Sequence, residues 1–279
     1  MKETRKGELK NLSQLLHQLI DSYNRMLDII KKINGIMNKT KMLSLNSSIE
    51  AARAGAQGRG YAVIATEIQR FSDQSKAANN ESLITIKDLN TQINSVIGVR
   101  TADVAYDLID KIDRNLFERN CDVQAWATFD RIVDYAMNPS EEKKKGVISL
   151  LHNLYEIYEV YYDIIMADKE GKIAGVLSTR FNWNYIYDIL DKAKIGEHGE
   201  VYVVNTKEIV IASRDKEEIL KRNLADTYSC VKDVVAGEEY GYVVEIDNDS
   251  MEAIIGYAHT KGYNSYPGKN WSVVVREIF

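Results

Sequence analysis

Apolar residues in the first hundred positions of the chain recur at alternating spacings of four and three. The series runs Leu12, Leu16, Leu19, Tyr23, Met26, Ile30, Ile33, Met37 and Thr40. A repeat of about 3.5 residues keeps one seam of a helix turned toward a partner helix, which is typical of a coiled coil. The pattern therefore predicts a long helix that needs a helical partner.

Three glycines interrupt this pattern and allow the chain to supply its own partner helix. They are Gly55, Gly58 and Gly60. Glycine tolerates positive φ and is costly inside an uninterrupted helix, so the cluster favours a reversal of the chain. The apolar repeat resumes at Ile64 and continues to Ile97. Residues 1–98 are therefore predicted to form an antiparallel helical hairpin with its tip near 53–60.

A hairpin of this length cannot bury its apolar seam alone. Helices of about 50 residues give a rod about 75 Å long and only two helices thick. Two such rods can pack into a four-helix bundle, which covers the seam of each. The sequence thus predicts a parallel homodimer, in which the two hairpins form a four-helix coiled coil.

The composition changes after this segment. Both prolines, all three tryptophans and most of the tyrosines follow residue 100. A helical pattern from Thr101 to about Met137 ends at Pro139, and Ser140 is a suitable N-cap for another helix. Residues 99–156 are therefore predicted to be connecting and sensor helices.

The last part of the chain, residues 157–279, alternates strand-like and helical segments. Strands are expected at 160–166, 173–177, 200–204, 209–213, 240–246, 252–259 and 270–277, with a turn at 168–171 and a helix at 184–194. Two strands, a helical excursion over 214–235 and three further strands have the connectivity of a PAS-like antiparallel sheet. The predicted fold class is α+β, with a helical hairpin and a C-terminal sheet domain preceded by helices.

Charge and hydropathy exclude several classes of protein. The net charge of −5 leaves no basic face to neutralise the phosphates of a nucleic acid. No apolar run reaches the roughly 20 residues that cross a bilayer, and no secretory signal pattern opens the sequence. We therefore expect a cytoplasmic protein with no membrane span and no nucleic-acid partner.

Metal, cofactor and catalytic patterns are also missing from the sequence. Cys121 and Cys230 have no CxxC spacing, and the four histidines share no ligand spacing. The glycine cluster at 55–60 lacks the Lys-Ser/Thr of a P-loop and follows a helix. No nucleophile with a base and no paired-carboxylate motif is present. We expect a protein without a cofactor that is not an enzyme.

The glycine turn lies within a specific motif. Residues 43–65 read LSLNSSIEAARAGAQGRGYAVIA and resemble the signalling tip of methyl-accepting chemotaxis proteins. The resemblance extends over about Leu12 to Ile97 and implies binding to the histidine kinase CheA and its adaptor CheW. It implies contact roles for Glu50 and Arg53, with Asn46, Gln57, Arg59, Val63 and Glu67 as supporting positions.

Other interpretations of the same tip residues remain open. Glu50 and Arg53 have the i to i+3 spacing of an ion pair, which a solvated helix surface can also carry. Val63 suits an apolar contact with the adaptor, and a core position explains it nearly as well.

The second half resembles the Cache branch of PAS-like sensor domains. The phrases that carry the resemblance are LFERNCDVQAWA at 116–127, GEVYVVN at 199–205, IVIASRD at 209–215 and YPGKNWSV at 266–273. The resemblance implies binding of a small molecule. Strand and strand-end positions suggest pocket residues, with sheet-face aromatics and surface charge as the alternative. These candidates are Tyr202, Asn205, Arg214, Tyr242, Tyr257 and His259.

Arg214 favours an anionic ligand, because a fixed guanidinium pairs with a carboxylate or a phosphate. The leading functional prediction is a chemotaxis-type signal transducer that senses a small molecule and controls the kinase through its tip. The alternative is an interaction protein that senses nothing and competes for sites in the chemotaxis array.

Overall fold

A computed structural model describes residues 2–169, 173–193, 195–196, 199–246 and 251–278, without the side chains of 2–14, 167–169 and 173–176. The predicted turn at 168–171 lies mostly outside these residues. The chain separates into two compact units, and the boundary between them lies between Ile97 and Gly98.

The first unit is a helical hairpin. Helix α1 (Lys2–Arg53) is followed by a 3₁₀ turn (Gly55–Gly58), and helix α2 (Arg59–Trp126) contributes residues up to 97. Hydrogen bonds across the hairpin join residue 72 to 37 and residue 79 to 30, so the helices are antiparallel. The predicted hairpin is confirmed.

Buried positions in the hairpin recur every seven residues. On α1 they are Leu16, Ile30, Met37, Ser44 and Ala51. Gly58 follows at the end of the 3₁₀ turn, and on α2 they are Ala65, Ser72, Asn79, Ile86 and Ile93, with Ile97 also buried four residues later. Of the other positions of the predicted repeat, Leu19, Met26 and Ile33 are exposed, whereas Tyr23 and Thr40 are half-buried. The side chain of Leu12 lies outside the described residues. One half of the heptad seam is thus buried between the two helices of the hairpin, and the other half forms an apolar stripe on its surface.

Polar groups in the buried seam fix how the two helices align. The Ser72 hydroxyl donates to the Met37 carbonyl at 3.0 Å, and Asn79 Nδ2 donates to the Ile30 carbonyl at 3.3 Å. A buried polar group that finds its partner in only one alignment disfavours every other alignment. These two bonds therefore specify the register of the hairpin.

The turn requires two of its three glycines. Gly55 has φ +58°, a left-handed conformation that favours glycine. A Cβ at Gly58 would lie 2.0 Å from the Ala51 carbonyl oxygen, so the two chain segments touch through backbone alone. Gly60 lies in the first turn of α2 and has open space around it. The expectation that Gly60 also interrupts the helix is therefore wrong.

The second unit begins with the remainder of α2, which ends at Trp126, and continues with α3 (Asp130–Met137) and α4 (Glu141–Tyr158). The predicted single helix over 101–137 is therefore broken at residues 127–129. There the amides of Thr128 and Phe129 bond to carbonyls only three residues back, which tightens and ends the helix. The N-cap prediction is confirmed, since Ser140 Oγ accepts from the Lys143 amide at 3.3 Å.

Two strands then form a small antiparallel sheet. These are β1 (Tyr161–Lys169) and β2 (Ile173–Phe181), and α5 (Asn184–Asp191) follows. A two-stranded sheet is marginal by itself. It is stabilised by a core that joins it to the preceding helices, formed by Trp126, Ile132, Val147, Leu154 and Tyr161.

The remaining strands form one five-stranded antiparallel sheet. They are β3 (Glu200–Val204), β4 (Val210–Ser213), β5 (Tyr240–Ile246), β6 (Glu252–His259) and β7 (Ser272–Ile278). Their spatial order is β4-β3-β7-β6-β5, and two 3₁₀ turns and α6 (Cys230–Val235) lie between β4 and β5. The order agrees with the predicted connectivity, so the PAS-like sheet and the α+β fold class are confirmed.

Each face of this sheet has its own core. Val201, Val203 and Val275 pack with Leu108 and Ile112 of α2, and with α5. The opposite face packs beneath α6 and is formed by Tyr202, Val204, Val274, Ile255 and Tyr257, together with Leu224, Tyr228, Val231 and Val234. Among the described helices, none combines the length and the apolar character that crossing a membrane requires.

Candidate functional site

All seven residues predicted at the tip lie on the surface around the turn. Asn46, Glu50 and Arg53 are on α1, Gln57 is in the 3₁₀ turn, and Arg59, Val63 and Glu67 are on α2. Val63 is 70% exposed, so it is not part of the core of the hairpin. The turn thus brings residues from both helices to one end of the hairpin.

The charges at the tip are paired along the helices. Arg53 lies 3.8 Å from Glu50, as their spacing predicts, and both side chains are exposed. Glu67 pairs with Arg70, which was not among the predicted tip residues. The two have the same i to i+3 spacing as Glu50 and Arg53, so the spacing could have indicated this pair too. The hydrogen bond from Arg70 lowers the pKa of Glu67. Because exposed pairs of this kind contribute little to folding, both carboxylates remain available to a partner.

Apolar side chains surround these charges. Leu43, Ile49, Tyr61 and Ile64 are all exposed near the turn, together with Val63. An exposed apolar patch with a charged rim is typical of a protein interaction surface. The tip combines such a patch with fixed charges.

The six predicted pocket residues do not converge on one opening. Tyr202 and Tyr257 are buried together in the core beneath α6. Tyr242 lies on the other face, where its ring covers Gly98 of α2, since a Cβ at Gly98 would be 2.1 Å from that ring. His259 Nδ1 lies 2.8 Å from Ser272 Oγ.

Asn205 and Arg214 have local structural roles. Asn205 Oδ1 accepts from the amides of Lys207 and Ile209 at 2.9 and 3.2 Å, which shapes the turn between β3 and β4. Arg214 Nη2 donates to the carbonyls of Leu190 and Ala193 at 3.0 and 2.9 Å, and so caps the last turn of α5. This nitrogen is therefore engaged with α5, and binding of an anion by Arg214 stays a prediction.

Sequence reasoning missed the polar cluster around Tyr202. The Tyr202 hydroxyl donates to Glu200 Oε2 at 2.8 Å and accepts from Arg222 Nη1 at 3.1 Å. Arg276 Nη1 donates to the same Glu200 oxygen at 2.8 Å. Burial, and then Glu200, raise the pKa of the Tyr202 phenol, so it stays protonated. Side chains alternate between the two faces of a strand, so the sequence of β3 could have indicated that Glu200 and Tyr202 lie on one face.

A separate apolar cavity lies between α3 and the two-stranded sheet. It has a volume of about 210 Å³ and is lined by Ala127, Ile132, Val133, Ala136, Met137, Met166 and Leu177. These side chains carry no charge, so the cavity offers nothing that would recognise an anion.

Comparison with known proteins relates the first part of the chain to chemoreceptors. HlyB, a methyl-accepting chemotaxis protein of Vibrio cholerae serotype O1, is 33% identical over 123 residues, which are 42% of this chain and 22% of that protein. Methyl-accepting chemotaxis protein I of Escherichia coli K12 is 31% identical over 137 residues, 49% of this chain and 23% of that protein. The chain thus spans less than a quarter of the length of these relatives.

Among solved structures, the chain is similar to the ligand-binding domain of the amino acid chemoreceptor PctB of Pseudomonas aeruginosa PAO1, determined with L-Gln. The TM-score is 0.42 at 12% identity, covering 63% of this chain and 89% of that one. A likeness at this level bears on neither ligand nor activity.

The family model for the methyl-accepting chemotaxis protein signalling domain matches residues 2–149. The match covers more than half of the 279 residues and includes the whole exposed tip. It runs past the predicted end of the hairpin at residue 98 and into α4. The chain therefore belongs to the methyl-accepting chemotaxis protein signalling-domain family.

Proposed function

We propose that this chain is a chemotaxis signal transducer that senses a small molecule in the cytoplasm and controls the histidine kinase CheA, with its adaptor CheW, through the hairpin tip. The observation that supports it best is the tip itself, where seven motif residues from two helices and a turn are all exposed at one end. Membership of the family supports the general class of function, which is signal transduction. The kinase, the adaptor, the ligand and the location are our proposals.

Helix α2 is the proposed route of the signal. It begins at Arg59 in the tip and ends at Trp126 in the second unit, where Leu108 and Ile112 pack on the sheet. A ligand that binds the sheet domain shifts the packing of α2 only if it has different affinities for two packings. The activity of the kinase would then depend on the fraction of molecules in which α2 adopts one of these two packings.

The alternative function is an interaction protein that binds the array and senses nothing. The dense core beneath α6 favours it, because Tyr202, Leu224 and Tyr228 are almost fully buried there. A sensor must therefore bind its ligand by displacing a protein group rather than by filling open space on this face. Ligand-dependent kinase activity would separate the two functions.

Reversing the tip charges is expected to weaken adaptor recruitment by at least about tenfold, since charged contacts central to an interface contribute strongly. The variant carries Glu50→Arg and Arg53→Glu, which keep an i to i+3 pair and hence the helix. A pull-down of the adaptor with the full chain measures the loss.

The matched control carries Asp28→Lys and Lys31→Asp, another exposed i to i+3 pair on α1, with a separation of 3.8 Å. The control is expected to recruit the adaptor like the wild type. Equal recruitment by both variants, with helicity unchanged in circular dichroism, would show that the assigned contact surface is wrong.

The apolar stripe of Leu19, Met26 and Ile33 is expected to join two chains as a parallel homodimer, because it holds the half of the heptad seam that the hairpin leaves exposed. Light scattering should give twice the chain mass of 31.7 kDa. Met26→Glu should shift the mass toward the monomer, since it puts a charge into the seam. Met42→Glu, at an exposed α1 position outside the repeat, is the control. A wild type that stays monomeric and folded at micromolar concentration contradicts the dimer.

A further inference from the structure

We infer that the apolar cavity between α3 and the two-stranded sheet is a binding site for a small uncharged apolar molecule, about the size of one aromatic ring. The inference rests on the proposed sensor function and names a ligand class for it. This class differs from the anion that the sequence suggested for Arg214. The site also lies outside the five-stranded sheet, since its lining residues come from α3, the residue after α2, β1 and β2.

The wall of the cavity selects an uncharged ligand. Its seven side chains belong to alanine, valine, leucine, isoleucine and methionine, none of which carries an N–H or O–H group. A buried water molecule is held by about two to four polar partners, which these side chains do not supply. A carboxylate or an ammonium group would lose its hydration there without any compensating bond. The ligand that gains most is therefore one that makes no hydrogen bonds.

The volume of the cavity limits the size of the ligand. It is about 210 Å³. An apolar protein cavity of about 150 Å³ accommodates benzene, so this one has room for a single substituted ring. A peptide segment suits the cavity poorly, because it would bring polar backbone groups against an apolar wall. The size and the chemistry together point to a small molecule.

The cavity has a closed floor and a rim that faces solvent. At the floor, Ile132 is 4% exposed and packs with Trp126 in the core of the helices and the two-stranded sheet. At the rim, Val133 and Met137 lie one helical turn apart on α3 and are 44% and 67% exposed. A ligand can therefore enter past the rim and reach the core, and its binding covers apolar surface that solvent now contacts.

Two methionines let the wall adapt to the ligand. Met137 belongs to α3 and Met166 to β1, so they reach the cavity from different elements. The unbranched thioether side chain fits irregular shapes and makes favourable contacts with aromatic rings. The wall can therefore close around a ring by changes of side-chain rotamer alone.

The site adjoins the end of α2, the proposed route of the signal. Ala127, which lines the cavity, directly follows Trp126, the last residue of α2. The amides of Thr128 and Phe129 bond back to the last turn of α2. A ligand in the cavity changes the packing of α2 if its affinity differs between two packings. Unlike the face beneath α6, this site requires no displacement of a protein group.

Thermal unfolding of the full chain in the presence of toluene tests the site. Toluene at about five times a Kd on the order of 1 mM should raise the melting temperature of the second unit by about 3 °C. Tryptophan fluorescence follows this unit, which holds all three tryptophans. Benzoate has the same ring with a carboxylate attached. At the same concentration and ionic strength it should raise the melting temperature by less than about 1 °C, because the cavity does not compensate its lost hydration.

Filling the cavity is expected to abolish the response to toluene. Ala136→Leu puts a larger side chain at a half-buried lining position of α3. Ala125→Leu is the matched control, at an exposed position of α2 that is not part of the lining, and should respond like the wild type. Ala127→Leu fills the cavity from an exposed lining position, and it decides the question if Ala136→Leu does not fold.

The site is wrong if toluene leaves the melting temperature of the wild type unchanged, or if the filled variants respond as strongly as Ala125→Leu. A shift with benzoate equal to that with toluene would overturn the uncharged class. Adaptor recruitment by the tip is measured separately, so an absent toluene response with intact recruitment refutes the site and leaves the transducer function standing.

Discussion

Gly256→Ala is expected to lower the free energy of unfolding of the second unit by about 3 kcal/mol, as overpacking of a rigid contact does. A Cβ at Gly256 would lie 2.3 Å from the Ala102 amide nitrogen and 2.7 Å from the Thr101 carbonyl oxygen. Both obstacles are backbone atoms of α2, so no rotamer change relieves the clash. The helix must move away from β6.

Urea unfolding followed by tryptophan fluorescence measures this loss, since Trp126, Trp183 and Trp271 all lie in the second unit. Gly146→Ala is the matched control, because Gly146 lies within α4 with open space around it. There alanine should stabilise the unit by about 0.5–1 kcal/mol through helix propensity. If Gly256→Ala were as stable as the wild type, the close contact between α2 and the sheet would be wrong.

This contact matters for the proposed signal. Gly98 and Gly256 allow α2 to approach the sheet closely, because Gly98 packs directly against the Tyr242 ring and Gly256 against the backbone of α2. A close-packed contact changes between discrete arrangements rather than by gradual deformation. A small shift of β6 would therefore displace the part of α2 that packs on the sheet.

The hairpin could be predicted because its information is local. A heptad repeat and a glycine cluster specify two helices and a turn, whatever the rest of the chain does. Periodicity alone could not show which half of the seam closes the hairpin. That depends on partners across the turn, such as Asn79 with the Ile30 carbonyl, 49 residues apart.

The tip residues were predicted together for the same reason, since they lie within one contiguous motif. The contacts of the predicted pocket residues could not be derived from the sequence, because they depend on strand register. Glu200 meets Arg276 only because β3 pairs with β7, 76 residues further along the chain. Arg214 was placed at a strand exit correctly, but the end of α5 that it caps is 21 residues or more away.

Asp113→Ala is expected to cost about 3 kcal/mol of unfolding free energy, because a buried donor left without its acceptor costs about 1–3 kcal/mol. Asp113 lies on α2 and is 3% exposed. Its Oδ2 accepts from Thr260 Oγ1 at 2.5 Å and from the Gly262 amide at 2.9 Å, which ties the segment after β6 to the helix. Asp113→Asn keeps an amide oxygen as acceptor and should lose less at neutral pH. Urea unfolding of the full chain, followed by tryptophan fluorescence, measures both variants.

The dependence on pH separates the charge of Asp113 from its hydrogen bonds. Burial raises the pKa of this carboxyl above its ordinary value of 3.8. The folded protein then retains a proton that the unfolded chain has released, so this contribution to stability is complete below pH 3.8 and is lost as the pH rises through the folded pKa. Asparagine does not titrate, so the stability of Asp113→Asn relative to the wild type should increase between pH 4 and pH 7. Titrating groups that do not interact with Asp113 cancel between the two proteins, whereas the pKa of His259, which burial lowers and the Asp113 charge raises, should fall further in Asp113→Asn. A difference that stays constant with pH would show that Asp113 is not buried as a carboxylate, whereas equal losses for alanine and asparagine would show that its hydrogen bonds do not hold the segment.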